Sequence, residues 1–349
     1  MSMLTFRYRV KDATKGKHLR RLSWAVNTVW NWCNEVSMLA LRRDKRFLTA
    51  VDLINLTAGA SAELGLHSDT ISEICREYVT KRKASHKRRL KWRSRKRSLG
   101  WVPFKLRFLK LDDDSLTYLK RRYRFWASRP IEGIPKTGSF TQDARGLWYV
   151  NIQCEVEDPG VPTGNTEIGI DLGLTNQLWC SDMDVPYTRE NLTRKHEDAL
   201  AMAQRAGKKK RARAIHAKIA NCRQDWAHKT TKAIVDRASL IAVGNVSSLK
   251  MTKTPLAKST LDAGWGQLRT CLEYKAKRLG VIYGEVNESG SSVTCSICLH
   301  KTGPSGLSAL GVRVWTCSQC GSCHQRDRNA AHNILRVGRD TLLRGISRL

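Results

Sequence analysis

The sequence has 349 residues, 41% of them hydrophobic, which is enough for a substantial core and two or three structural units. Its 62 Lys and Arg residues face only 31 Asp and Glu residues, so the formal net charge is +31. Such a charge excludes an ordinary metabolic enzyme unless its partner is a polyanion, and nucleic acid is the obvious candidate. No apolar run approaches the roughly 18 residues that cross a bilayer, and no signal-peptide core follows the basic start, so we expect a soluble intracellular protein.

The N-terminal part predicts a strand followed by helices. Residues 3–10 alternate apolar and basic side chains, which is typical of a half-buried strand. From Leu22 to Leu41, apolar residues recur at spacings of three and four and predict a helix with one buried stripe. The run 69–73 resembles the capped start of another helix.

A strongly basic run follows. Residues 81–97 contain eleven Lys or Arg and no acid. Such a run is usually a solvated helix face or a flexible arm. Because Trp92 lies inside it and Trp101, Phe104 and Phe108 lie just beyond, we favour a surface that tracks nucleic-acid phosphates.

The remaining pattern predicts further strands and then an α/β domain. Strand-like segments occur at 101–110 and 147–156, and the Pro- and Gly-containing residues 157–166 predict a domain boundary. Three apolar runs beyond this boundary predict buried strands, and two long segments between them predict helices. The strands are expected at 168–173, 240–244 and 281–283, and the helices at 193–237 and 259–279.

Five of the eleven cysteines crowd into residues 295–323. Cys295 and Cys298 form one CxxC pair, and Cys317 and Cys320 form a second. Two such pairs predict a tetrahedral zinc site, and four thiolates leave no open position, so the zinc would be structural. Cys323 and His324 could compete as ligands, although the CxxC spacing favours the first four.

Acidic residues stand out in so basic a chain. Asp171 ends the first buried strand of the α/β part, and Asp327 opens an apparent helix after the second cysteine pair. Taken alone, they are a turn aspartate and a first-turn helix acid. Two-metal phosphodiester cleavage needs several carboxylates on one surface, and either Glu285 or Glu288 after the third strand could supply the missing one.

These pieces together resemble the TnpB family of transposon-encoded RNA-guided nucleases, whose eukaryotic relatives are the Fanzor proteins. The resemblance covers nearly the whole chain. The most specific segments are GIDLGL at 169–174, the run 223–229, the two cysteine pairs, and RDRNAAHNIL at 326–335.

The resemblance implies a multidomain α+β fold. A split β-rich wedge domain would comprise 1–18 and 98–160, and a helical recognition domain 19–97. An RNase H-like, RuvC-type α/β nuclease domain would comprise 165–294 and 325–349, interrupted by a zinc ribbon at 295–324. Its catalytic acids would include Asp171 and Asp327.

The sequence departs from the family pattern at two positions. Most members carry Glu at the end of the second strand, where this chain has Gly244, and many carry an acid where it has Gln325. In Fanzor proteins and some related TnpB members the glutamate looks relocated to a segment just before the first CxxC. Residues 286–295, VNESGSSVTC, match that form, so we expect Glu288 rather than Glu285 to be the third carboxylate.

The resemblance therefore implies an RNA-guided DNA endonuclease that uses Mg²⁺ held by Asp171, Glu288 and Asp327. Its partners would be a guide RNA encoded near the transposon end and double-stranded target DNA, with the basic residues at 81–97 and 205–213 meeting RNA phosphates. Two alternatives stay open, a nuclease-dead RNA-guided repressor and a zinc-ribbon DNA-binding accessory of transposition. The expected location is the bacterial cytoplasm and nucleoid, or the nucleus in a eukaryotic host.

Overall fold

The computed structural model describes residues 2–11, 13–107, 109–157, 161–162, 164–245, 257–306, 309 and 311–343. Phe108, and the parts 158–160 and 344–349 of the predicted domains, lie outside the described residues. The chain divides into two units, Met1–Glu157 and Asp158–Leu349. Helices and several sheets occur together, which confirms the predicted α+β class.

The first unit contains a four-stranded antiparallel sheet with strand order β1-β7-β6-β2, and a smaller sheet with order β3-β4-β5. These strands are β1 (Ser2–Arg9), β2 (Trp101–Lys105), β3 (Leu111–Asp112), β4 (Ser115–Tyr118), β5 (Arg121–Arg124), β6 (Ile134–Gln142) and β7 (Trp148–Val156). In β1, Leu4, Phe6 and Tyr8 are buried and alternate with exposed residues, so the predicted half-buried strand is confirmed.

The helices of the first unit are α1 (Ala13–Asp44), α2 (Ala50–Leu56), α3 (Ala60–Leu64) and α4 (Ser68–Ser85). The stripe predicted on α1 is buried at Val26, Trp30 and Cys33, and Trp30 meets Tyr78 of α4 edge to face at 5.5 Å between ring centroids. Because α4 ends at Ser85, the basic run 81–97 is only partly helical.

The second unit is built on a sheet with strand order β11-β10-β8-β9. Its strands are β8 (Thr166–Asp171), β9 (Trp179–Cys180), β10 (Ala238–Gly244) and β11 (Ile282–Val286), and β12 (Val314–Thr316) pairs with β13 (Cys323–Gln325) in a separate hairpin. Strands β8, β10 and β11 are parallel, as expected for an α/β unit.

The helices of the second unit are α5 (Leu192–Lys195), α6 (Glu197–Arg205), α7 (Lys209–Val235), α8 (Ala257–Ala263), α9 (Trp265–Arg278) and α10 (Arg326–Gly338). Each of the two long helices predicted at 193–237 and 259–279 is therefore divided, which corrects the prediction. Gly207 and Gly264 lie between the resulting helices. Their φ angles of 62° and 69° are in the left-handed region, so a right-handed helix cannot continue through them.

The two faces of the β11-β10-β8 sheet bury different side chains. Ile170 and Val243 point to the face covered by α7 and α9. Ala242 and Val286 point to the face covered by α10, where they pack with Ile334. Because side chains alternate along a strand, this division fixes the face on which every other residue of these strands lies.

A buried ion pair joins α7 to α8. Asp262 is 4% exposed and accepts hydrogen bonds of 2.6 Å from both Arg223 and Thr193. Burial alone would raise the pKa of the Asp262 carboxyl, but these hydrogen bonds and nearby Arg189 hold it below its usual value. The charged run 223–229 noted in the sequence therefore begins with a residue that has a structural partner.

Within the ranges described above, we find no helix long and apolar enough to span a membrane.

Candidate metal centres

Asp171 and Asp327 come together because α10 packs unusually close to β8. A Cβ atom on Gly169 would lie only 2.1 Å from the carbonyl oxygen of Ala331, so only glycine permits this approach. Asp171 is two residues beyond Gly169 on the same face of β8, and Asp327 is one helical turn before Ala331. Two strand residues and one helical turn cover about the same length, roughly 6 Å, so both carboxylates lie near the end of β8, where the charge of Asp327 acts on Asp171.

Neighbouring side chains orient the Asp327 carboxylate. Asn176 donates a hydrogen bond of 2.9 Å to Oδ2, and Arg313 donates one of 3.3 Å to Oδ1. Gln325, which stands where many family members carry an acid, is the N-cap of α10 and accepts a hydrogen bond of 2.6 Å from the backbone N–H of Arg328. Gln325 thus has a structural role at the start of the helix that carries Asp327.

Glu288 occupies the space that a side chain at position 244 would need. A Cβ atom on Gly244 would lie 2.2 Å from Oε2 of Glu288 and 3.2 Å from its Cβ. Val243 pairs with Ile170, so Gly244 and Asp171 are the next positions of two adjacent parallel strands. The Glu288 carboxylate therefore lies beside the end of β8, in the position left open by the absence of a side chain on Gly244.

Glu285 lies on the other face of the sheet. It pairs with Val243 in register and alternates with Gly284 and Val286, which face α10. Its carboxylate is 3.6 Å from Arg269 of α9. Of the two glutamates that the sequence offered, only Glu288 shares the α10 face of the sheet with Asp171 and Asp327.

The three carboxylates are electrostatically coupled. Burial, together with the negative charges of Asp327 and Glu288, raises the pKa of Asp171 to about 8. Burial also raises the pKa of Glu288, against the effect of nearby Arg269. The buried Oε2 atom of Glu288 has no hydrogen-bond partner among the described residues. A divalent cation would offset this repulsion, and Oε2 of Glu288 could bind it. Mg²⁺ prefers oxygen ligands, so three carboxylates of this kind fit Mg²⁺.

The four cysteines predicted as zinc ligands also come together. Their Sγ atoms all lie within 4.8 Å of one another, with 3.7 Å between Cys295 and Cys320 and 3.5 Å between Cys298 and Cys317. A zinc tetrahedron with Zn–S bonds of about 2.3 Å requires sulfur atoms about 3.8 Å apart. The donor set therefore fits zinc.

The two alternative ligands take other positions. Nε2 of His324 is 3.0 Å from Sγ of Cys295 and lies outside the group of four, and its ring packs at a tilt against Trp315 with centroids 4.7 Å apart. A histidine N–H that donates to a ligand thiolate would orient that thiolate. Cys323 is exposed and lies outside the four-cysteine group.

Two asparagines of α10 connect the zinc knuckle to the carboxylates, a link that the sequence analysis missed. Asn329 and Asn333 are 2% and 3% exposed, and their amides donate to the carbonyl oxygens of Ser291 and Thr294 at 2.7 to 3.2 Å. Oδ1 of Asn329 accepts from the backbone N–H of Ser296 at 2.9 Å. The loop between Glu288 and Cys295 is thus fixed to the helix that carries Asp327. The available signal was the spacing of the two asparagines, which places them on one helix face.

Comparison with known proteins finds two family models that match parts of this chain. Residues 151–254 match the family model described as "Probable transposase" (OrfB_IS605), and residues 265–334 match the model "Cas12f1-like, TNB domain". The chain is similar to "Putative RNA-guided DNA endonuclease" of Streptomyces pristinaespiralis, with 33% identity over 60% of this chain and 55% of that protein. These similarities support the resemblance to the TnpB family.

A second similar protein is "Putative RNA-guided DNA endonuclease InsQ" of Escherichia coli (strain K12), with 29% identity over 64% of this chain and 61% of that protein. The chain thus spans somewhat more than half the length of these two relatives. Among solved structures, a Cas12f1-sgRNA-target DNA complex aligns over 96% of this chain and 99% of that one, with a TM-score of 0.39 and 16% identity.

Proposed function

We propose that this chain is a TnpB-type RNA-guided DNA endonuclease that hydrolyses phosphodiester bonds of DNA matched to a bound guide RNA. The observation that carries the proposal is the position of Glu288, whose carboxylate fills the space beside Asp171 that Gly244 leaves open. The two relatives named for this activity support the same function. The domain roles implied by the resemblance, and a place in the branch with a relocated glutamate, are parts of this proposal.

In the proposed site, Asp171, Glu288 and Asp327 would hold Mg²⁺ through carboxylate oxygens. The bound ions would supply activation of water and stabilisation of the leaving oxygen. The chain itself fixes the geometry: Gly169 lets α10 approach the sheet, and Asn176 and Arg313 orient Asp327. Cys295, Cys298, Cys317 and Cys320 would hold a structural zinc that fixes the end of the loop leading from Glu288.

The partners in this proposal are a guide RNA encoded near the transposon end and double-stranded DNA. RNA pairing would select the target, while the protein holds the heteroduplex by its shape and charge. A net charge of +31 suits that task.

The test is to express the protein together with its flanking genomic sequence, purify it, and sequence the RNA that remains bound. Duplex DNA that matches this RNA is then incubated with the complex, with and without Mg²⁺. We expect a defined bound RNA and cleavage that requires both the match and Mg²⁺. Bound RNA without cleavage would select the nuclease-dead repressor, and absence of RNA would leave a DNA-binding accessory protein. Asp171→Ala is the matched control for contaminating nucleases.

A further inference from the structure

The basic residues 86–99, here called the cationic segment, are not a flexible arm. Two asparagines of α1, Asn31 and Asn34, hold the backbone of this segment along the helix. The amide of Asn31 donates to the carbonyl oxygen of Arg93 at 2.8 Å and accepts from its N–H at 2.8 Å. Asn34 makes the same two bonds to Leu90, at 2.8 and 3.1 Å. The main chain is therefore fixed at two points, three residues apart.

Arg93 fixes the segment from the other side. Its Nε donates to Oδ1 of Asn27 at 2.7 Å, and its NH2 group donates to the carbonyl oxygen of Leu99 at 2.8 Å. The guanidinium also lies 5.9 Å from the ring centroid of Trp30 and 5.6 Å from that of Trp101. Arg93 thus packs within the fold, and its hydrogen bonds fix the position of the segment relative to α1 and Leu99.

The tip of the segment is a closed turn. The backbone N–H of Ser94 donates to the hydroxyl of Ser98 at 2.9 Å, and the backbone N–H of Ser98 donates to the carbonyl oxygen of Ser94 at 3.1 Å. The hydroxyl of Ser94 also accepts from the N–H of Arg97 at 3.0 Å. This turn presents Arg95, Lys96 and Arg97 to solvent. The backbone positions of these cations are therefore fixed by the fold before any ligand binds.

Seven of the eight Lys and Arg residues of the segment are exposed; they are Lys87, Arg88, Arg89, Lys91, Arg95, Lys96 and Arg97. The salt bridge found for them among the described residues joins Arg89 to Glu35 at 3.4 Å. A row of fixed cations with little counter-charge is unfavourable unless a polyanion covers it. Because the backbone is already ordered, binding of the polyanion would lose little conformational entropy.

An exposed aromatic ring within this row indicates which polyanion it is. Trp92 is 51% exposed, and the guanidinium of Arg89 lies 5.3 Å from its ring centroid. A solvent-facing indole beside cations is a stacking surface for an unpaired base. Loops and bulges of RNA offer unpaired bases, whereas the bases of duplex DNA are stacked on each other.

We propose that the cationic segment is a preordered RNA-binding surface, on which Trp92 stacks against an unpaired base while the exposed cations contact the flanking phosphates. The inference rests on the proposed function, because the RNA would be the bound guide. It adds that α1 positions the surface through Asn27, Asn31 and Asn34, which act as positioning residues.

The test compares variants that keep every charge. Asn31→Ala removes two backbone hydrogen bonds of the segment, and Asn55→Ala changes an exposed asparagine on α2 as the matched control. The probe is the co-purifying RNA, transcribed in vitro, and the readouts are its Kd and the rate of tryptic cleavage within 86–99. We expect Asn31→Ala to weaken RNA binding about tenfold and to speed cleavage, with an unchanged circular dichroism spectrum. Unchanged affinity with Asn31→Ala would show that a flexible arm suffices and would overturn the preordering.

Trp92→Ala and Trp92→Phe test the stacking. Loss of one base stack weakens binding by roughly tenfold, so we expect that loss for Trp92→Ala and near-complete rescue by Trp92→Phe. A DNA duplex of the same sequence is the second probe, and Trp92→Ala is expected to leave its Kd unchanged. Equal losses for RNA and duplex DNA, or no loss for either, would overturn the RNA assignment. Failure of the wild-type protein to retain any RNA would instead refute the proposed function.

Discussion

Moving the third carboxylate back to the end of β10 is expected to restore a disabled site. Glu288→Ala removes one of the three carboxylates of the proposed Mg²⁺ site, and a loss of about 4 kcal/mol in transition-state stabilisation corresponds to roughly a thousandfold slower cleavage. In that variant a glutamate introduced at Gly244 starts 3.2 Å from the remaining Cβ of residue 288 and 3.1 Å from Cδ1 of Ile334. Both contacts need shifts of only a few tenths of an ångström. We therefore expect Glu288→Ala/Gly244→Glu to recover at least tenfold of the lost rate.

The assay is single-turnover cleavage of matched duplex DNA by complexes with equal RNA occupancy. The single variant Gly244→Glu is expected to be impaired, because its Cβ would lie 2.2 Å from Oε2 of Glu288. Glu288→Ala/Gly266→Glu is the control, since Gly266 has open space around it and lies on α9. A double variant at 244 that binds RNA and DNA normally, yet cuts no faster than Glu288→Ala, would refute the idea that the two positions serve the same site.

Two further predictions concern the zinc knuckle and the buried ion pair. Cys317→Ser is expected to abolish zinc binding, measured by atomic absorption, whereas the control Cys323→Ser is expected to keep one zinc per chain. Equal losses of zinc in the two variants would contradict the four-cysteine assignment. Asp262→Ala leaves Arg223 without its carboxylate and is expected to lower the free energy of unfolding, measured in urea, by about 3 kcal/mol. Because the pKa of Asp262 is lowered by folding, this contribution is fully present above about pH 4 and declines as the pH falls from there through the lower folded-state pKa; a variant effect that grows as the pH falls would contradict the assignment.

The sequence was sufficient for those elements whose signal is local. The buried strand that ends at Asp171, the alternation in β1 and the paired cysteines each follow from residues close together in the chain. The resemblance to a known family supplied Glu288. The physical reason for preferring it over Glu285 came only from the sheet register, which places the two glutamates in different surroundings.

Other features depend on residues far apart in sequence, and no local pattern predicts them. Asn31 and Arg93 are 62 positions apart, and no local pattern predicts the bonds between them, which order the backbone of a basic run that the sequence alone could not distinguish from a flexible arm. Strand β5, with Arg121 to Arg124 mostly exposed, lacks the apolar alternation that would predict it and is formed through pairing with β4. Tertiary pairing outweighs local propensity in such segments.

The most direct test of the metal centre compares Glu288→Gln with Glu285→Gln. The two glutamates are three residues apart, but only Glu288 shares the α10 face of the sheet with Asp171. Each variant is assembled with the same RNA, and cleavage of matched duplex DNA is measured at saturating Mg²⁺. We predict that Glu288→Gln binds RNA and DNA as the wild type does and loses cleavage, while Glu285→Gln cuts at the wild-type rate. Cleavage by Glu288→Gln at the wild-type rate would contradict the account.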